Sequence, residues 1–136
     1  MKTAYFILGM HRSGTSALGG VLNIMGVDFG TDLMQADSDN PKGYYENNLI
    51  YLLNETILKE NNSSWDDYKF YVSKISKEKK ELYIEKMIKI LNSEFKYTEI
   101  FAIKDPRISI LFPLWEEACK KLKITIKIIL SIRNPI

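Results

Sequence analysis

Three short apolar runs constrain this chain more than anything else in it. Residues 4–8, the stretch "EIFAIKDP" that carries Lys104, and residues 124–132 are each far too short to span a membrane. Continuous apolar runs of this length read as strands covered on both faces. Between them the apolar residues switch to helical spacing. Ala17, Leu18, Val21, Leu22 and Met25 form one stripe, closed by Gly26 at a C-cap position. Asn47 is placed to cap a second helix carrying Ile50, Leu53 and Ile57, which "KENNSSWDD" ends. A third helix, over about 77–95, bears Ile84, Met87, Ile88, Leu91 and Phe95 on one side, with lysines and glutamates opposite. A fourth opens at Asp105-Pro106, an N-cap carboxylate followed by proline, and continues with Leu111, Leu114, Trp115, Ala118 and Leu122. Pro113 removes a backbone donor within it, which predicts a kink or a short first turn. Strands alternating with helices predict an α/β fold around a parallel sheet.

The 136 residues suffice for one domain, 1–136, and 46% hydrophobic content supplies a core. A net charge of +2 gives no bulk attraction for nucleic acid or membrane, so neither is expected as a partner. The single cysteine, Cys119, excludes an intrachain disulfide and reads as a packing residue in a reducing compartment. A cytoplasmic location is the expectation.

The first apolar run leads through "FILGMHRSGTS" into the first helix. Strand, glycine-rich turn and helix N-terminus together make an anion site, because backbone N–H groups and the helix dipole converge there. Gly9 and Gly14 keep the spacing of a nucleotide-triphosphate loop, GxxxxGK[ST], but Thr15 and Ser16 follow where that loop has lysine. The cation sits instead at Arg12, mid-loop, which suits an anion lying across the turn.

"GMHRSGTS" resembles the 5′-phosphosulfate loop of sulfotransferases that use 3′-phosphoadenosine-5′-phosphosulfate. "NPKGYYE" and "KDPRISILFPLW" look like segments of bacterial members of that family, and "IILSIRNP" like the strand and arginine that open the 3′-phosphate site. The resemblance spans nearly the whole chain, in order. It implies a P-loop NTPase-like sheet flanked by helices and incomplete at its C-terminal end, since the family's 3′-phosphate serine lies some eight residues past that arginine and the sequence stops at Ile136. It implies transfer of a sulfuryl group, without a metal, to a hydroxyl or amine of an acceptor that is a small molecule or carbohydrate.

The resemblance also distributes roles. Arg12 takes the cationic position that contacts the leaving oxygen. Ser13, Gly14, Thr15 and Ser16 hold the 5′-phosphate, with Arg12, and Arg133 holds the 3′-phosphate. Lys104 matches a lysine that contacts the sulfuryl group, although Asp105 stands where the family has a small residue. Glu46, the glutamate of "GYYE", matches the base. His11 is a poor base beside Arg12, which disfavours a charged imidazole. Asp105 reads as a helix cap, Glu46 alternatively as a helix N-terminal charge, and Arg107 as a partner either of acidic groups or of the nucleotide. Two other functions remain open: a phosphate-binding remnant without turnover, and a P-loop kinase or ATPase in which "IFAIKD" is the Walker B strand and Asp105 holds magnesium.

Overall fold

The computed structural model describes residues 1–9, 15–35, 45–64, 66–67 and 70–130, with backbone only at Thr15 and Ser16. Three parallel strands, β1 (Thr3–Leu8), β2 (Ile100–Lys104) and β3 (Thr125–Leu130), form one sheet in the order β2-β1-β3. Thr3 is in register with Ile100 on one side and Thr125 on the other. Four helices flank the sheet: α1 (Thr15–Ile24), α2 (Asn48–Glu60), α3 (Lys77–Glu94) and α4 (Ile108–Lys121). The fold is therefore α/β, as the alternation predicts.

Side-chain alternation along β1 divides the core in two. Ala4 and Phe6 point into the larger cluster, with Phe101 and Ile103 of β2 and the apolar stripes of α2, α3 and α4. Phe95, just past α3, stacks on Phe101 with ring centroids 4.0 Å apart, and Phe6 meets Phe112 edge-on at 5.4 Å. Ile7 points to the other face, where Phe29 and Ala102 pack with Tyr5, Leu18, Leu22 and Tyr45. Burying each large apolar side chain contributes about 1.5–3 kcal/mol, which makes the first cluster the main source of stability.

Two expectations need correcting. Residues 125–130 form a strand, but an edge strand with open faces: Ile128 is 54% and Leu130 63% exposed. Apolar composition alone cannot tell a central strand from an edge one. The α1 stripe is likewise only partly used. Leu18 and Leu22 pack on the smaller cluster, whereas Val21 and Met25 remain exposed. Elsewhere the reading holds. Asn47 caps α2, its Oδ1 accepting from the N–H groups of Leu49 and Ile50. Gly26 takes φ +89°, the left-handed conformation that a helix C-cap asks of glycine. The α3 stripe of Ile84, Met87, Leu91 and Phe95 is buried. The fourth helix is an exception: expected to open at Asp105-Pro106, it starts at Ile108, with Arg107 at the N-cap position and no side-chain cap there, and it runs through Pro113.

Candidate functional site

The central strand lies where the chain reverses its winding: it leaves β1 for one neighbour, then returns across it to the other. Open α/β sheets bind ligands at the C-terminal ends of strands at such a reversal. Here β1 ends in Leu8, Gly9 takes φ +152°, and α1 begins at Thr15. The strand end and the helix start that would flank the expected anion-binding turn are thus in place, and residues 10–14 between them lie outside the described residues. Arg12, Ser13, Gly14 and Arg133 lie outside the described residues, as do His11, Tyr44 and the side chains of Thr15 and Ser16.

At the same edge the fold joins two residues distant in sequence. Lys104, the last residue of β2, is in register with Ile7 of β1. Its Nζ lies 3.5 Å from Oε1 of Glu46, and both side chains are nearly inaccessible, at 3% and 5%. Burial pushes the Glu46 carboxyl above its ordinary range; Lys104 and Arg107 pull it back down, and Asp105 adds to the rise. Burial likewise lowers the Lys104 ammonium, against the pull of Glu46 and Asp105. For each partner, desolvation outweighs mutual attraction, as is common for ion pairs taken out of water. The result is a carboxylate poised nearer to neutrality than an exposed one.

Glu46 reaches this place through its neighbours. Tyr45 adopts φ +57°, a conformation that L-residues other than Asn and Asp adopt rarely. Its ring packs against Phe29, with centroids 5.7 Å apart, and lies over the glycine pair of α1. A Cβ on Gly19 would sit 3.1 Å from Cβ of Tyr45. On the other side Asn47 is buried, and the backbone of residue 46 accepts from the N–H of Met34 at 2.7 Å. Asn47 Nδ2 donates to Glu94, whose carboxylate also receives Thr31 Oγ1 at 2.7 Å and the N–H groups of Thr31 and Asp32. Burial acts to raise the Glu94 carboxyl, yet these hydrogen bonds hold it below its ordinary value.

Asp105, next after Lys104, is 1% exposed. Its Oδ1 accepts from the N–H of Arg107 at 3.0 Å and from Arg107 Nη1 at 2.8 Å. Its Oδ2 accepts from Asn54 Nδ2 at 3.0 Å. The residue caps the turn that precedes α4, two positions before the helix's own N-cap at Arg107, and is not the N-cap that the sequence suggested. Both oxygens are engaged, which disfavours the reading of Asp105 as a magnesium ligand. Arg107 pairs with acidic groups. Besides Asp105 it contacts Glu55 through Nε, and its guanidinium lies 4.5 Å from the centre of the Tyr51 ring. Burial opposes its charge, but Asp105 and Glu55 outweigh burial and raise its pKa. Among the described residues no group of three or more His, Cys, Asp or Glu is arranged to hold a metal ion.

Of the expected catalytic residues, Glu46 and Lys104 are therefore brought together. The parts missed in the sequence are Asn54, Glu94 and the Gly19-Gly20 pair. Asn54 stands inside an apolar stripe, and a polar residue there is a readable signal. Glu94 looks like any charge of a lysine- and glutamate-rich helix.

Nothing matches the chain among models of protein families, among curated proteins or among solved structures. Among the described residues no helix is long and apolar enough to cross a membrane.

Proposed function

We propose that the chain is a sulfotransferase-type domain with a P-loop-like sheet, which binds 3′-phosphoadenosine-5′-phosphosulfate and passes its sulfuryl group to an acceptor hydroxyl or amine. The observation that carries this reading is the buried Glu46–Lys104 pair, at the strand edge where β1 turns toward α1. A base and a cation held side by side out of water suit a reaction that removes a proton from one oxygen while negative charge develops on another.

The roles follow from the chemistry. Ser13, Gly14, Thr15 and Ser16 would hold the 5′-phosphate and Arg133 the 3′-phosphate, with Arg12 at the bridging oxygen. The nucleotide supplies the sulfuryl group and leaves as the bisphosphate. Glu46 takes the acceptor proton as the new sulfur–oxygen or sulfur–nitrogen bond forms. Its raised pKa brings the base closer to working pH. Lys104 offsets the charge that gathers on the sulfuryl and leaving oxygens. The cytoplasm, where the nucleotide donor and a free cysteine thiol are both at home, fits this reading.

A thermal-shift panel tests it. Adenosine 3′,5′-bisphosphate without magnesium should raise the melting temperature of the wild type, by about 2.7 kcal/mol of stabilisation at a hundredfold excess over Kd. Gly14→Val should abolish the shift, because a side chain would fill the space that glycine leaves for phosphate. Stabilisation by ATP only with magnesium would instead point to a kinase or ATPase. No response to either nucleotide would leave a folded domain without this site.

A further inference from the structure

Asn54 sits in the middle of α2 at 0% exposure, within a stripe of Ile50, Leu53, Ile57 and Leu58. An amide there is costly unless both of its ends are paired. Both are. Its Oδ1 accepts from Trp115 Nε1 of α4 at 2.9 Å, and its Nδ2 donates to Asp105 Oδ2 at 3.0 Å. The chemistry fixes which way the amide faces, since an indole N–H only donates and a carboxylate only accepts. A leucine would extend the stripe but bridge nothing, and an aspartate could not donate to Asp105 while ionised. The position calls for a residue that accepts on one side and donates on the other.

We propose that Asn54 is a positioning residue: by holding the Asp105 carboxylate toward α2, it keeps that carboxylate from competing with Glu46 for Lys104. Asp105 directly follows Lys104 in the chain, and its charge is felt by both members of the pair. Arg107 holds the other Asp105 oxygen, Oδ1. Without the amide, Oδ2 lacks its buried donor, and the Lys104 ammonium, which already feels the Asp105 charge, is drawn toward it. Lys104 would then divide its attraction between two carboxylates. The inference rests on the reading of Glu46 as the base, because that pair is what Asn54 protects.

The test is the titration of the Glu46 carboxyl in the intact 136-residue chain, followed by NMR of 13C-labelled glutamate and assigned with Glu46→Gln. The groups that act on this carboxyl are Lys104, Asp105 and Arg107. Asn54→Leu should raise the midpoint by about half a pH unit or more, as attraction to Lys104 weakens. Trp115→Phe breaks the other end of the bridge and leaves the Asn54–Asp105 bond in place. It should lower stability but move the midpoint by less than about 0.2 unit. A role in stability alone would move both variants together, or neither, and overturns the proposal; so does a fall in the Asn54→Leu midpoint. If near-ultraviolet circular dichroism shows that Asn54→Leu does not fold, Asn54→Ser, too short to bridge, takes its place under the same criterion. The titration needs no turnover. A chain that responds in this way yet gains no thermal stability from adenosine 3′,5′-bisphosphate would refute the proposed function and leave the positioning intact.

Discussion

Glu94, the last residue of α3, accepts a hydrogen bond from Asn47, the residue next to Glu46. The same carboxylate gathers Thr31 and Asp32, so one side chain ties a helix end, a loop and a helix cap together beside the candidate base. Gly30, at φ +92°, makes room for it, since a Cβ there would run into Asn47 and Glu94. The hydrogen bonds hold the Glu94 pKa below its unfolded value of about 4.3, so its stabilisation is present above that pH. It is lost as pH falls through the folded value. Glu94→Gln should cost about 1 kcal/mol at pH 7, discounted for partial exposure, and almost nothing at pH 2. Urea unfolding of both proteins at the two pH values measures the difference; an equal cost at each would assign the effect to shape and not to charge.

The Glu46–Lys104 pair should trade stability for function. Replacing both partners with apolar side chains of similar volume, Glu46→Met with Lys104→Met, is expected to stabilise the fold by ~1–4 kcal/mol at pH 7. Lys104→Met alone leaves a buried carboxylate unpaired and should cost ~3–5 kcal/mol. That cost should shrink between pH 7 and pH 5. A carboxyl whose folded pKa is raised lowers stability as pH rises through the unfolded value toward the folded one, and the loss is complete above it. Denaturation curves at the two pH values decide this, and a double variant less stable than wild type would contradict it.

For chemistry, Glu46→Gln keeps the shape of the site and removes the base. In a chain that carries the 3′-phosphate serine the resemblance implies, turnover with the sulfuryl donor should fall about a hundredfold or more, while affinity for adenosine 3′,5′-bisphosphate stays within about threefold. Wild-type turnover in this variant would make Glu46 a helix charge only.

Gly19 and Gly20 are adjacent but not equivalent. A methyl at Gly19 meets the Tyr45 side chain at 3.1–3.3 Å, whereas one at Gly20 makes ordinary contact at 3.5 Å. Gly20→Ala should gain up to ~1 kcal/mol from helix propensity. Gly19→Ala should lose that advantage to the crowded ring, and Gly19→Val should cost ~1–3 kcal/mol. Melting temperatures of the three variants give the order directly.

Cys119 is buried in the main core, and burial raises its thiol to about 12. The thiolate is the reactive form. Alkylation by iodoacetamide at pH 8 should therefore track global unfolding. Labelling of the native protein should be at least about a hundredfold slower than in 6 M urea, because burial raises the thiol to about 12 and shields it from the reagent. A comparable rate in both would mean that α4 opens locally.

Element types were legible because period and caps agree: Asn47, Gly26 and the α3 stripe each do in three dimensions what their spacing implies. The resemblance gave Glu46 and Lys104 separate roles, and their pairing was not legible, since no local pattern connects a loop to a distant strand end. The exposure of Ile128 and Leu130 was not legible, because a strand's place in a sheet depends on what lies beside it. Asn54 was passed over for a related reason. Its value lies in Trp115 and Asp105, which reach it from another helix and a turn.

The register of β1 has a kinetic side. Thr3 finds its neighbours at Ile100 and Thr125, so every rung of the sheet joins the start of the chain to residues far along it. The helices between them can form early from local contacts, but the sheet must wait for long loop closures. A chain emerging from the ribosome exposes β1 until β2 has been made. During that interval the apolar segment from Ala4 to Leu8 is the most vulnerable to association with other chains. Slowed translation before Ile100 should therefore depress soluble yield more than the same delay after Leu130.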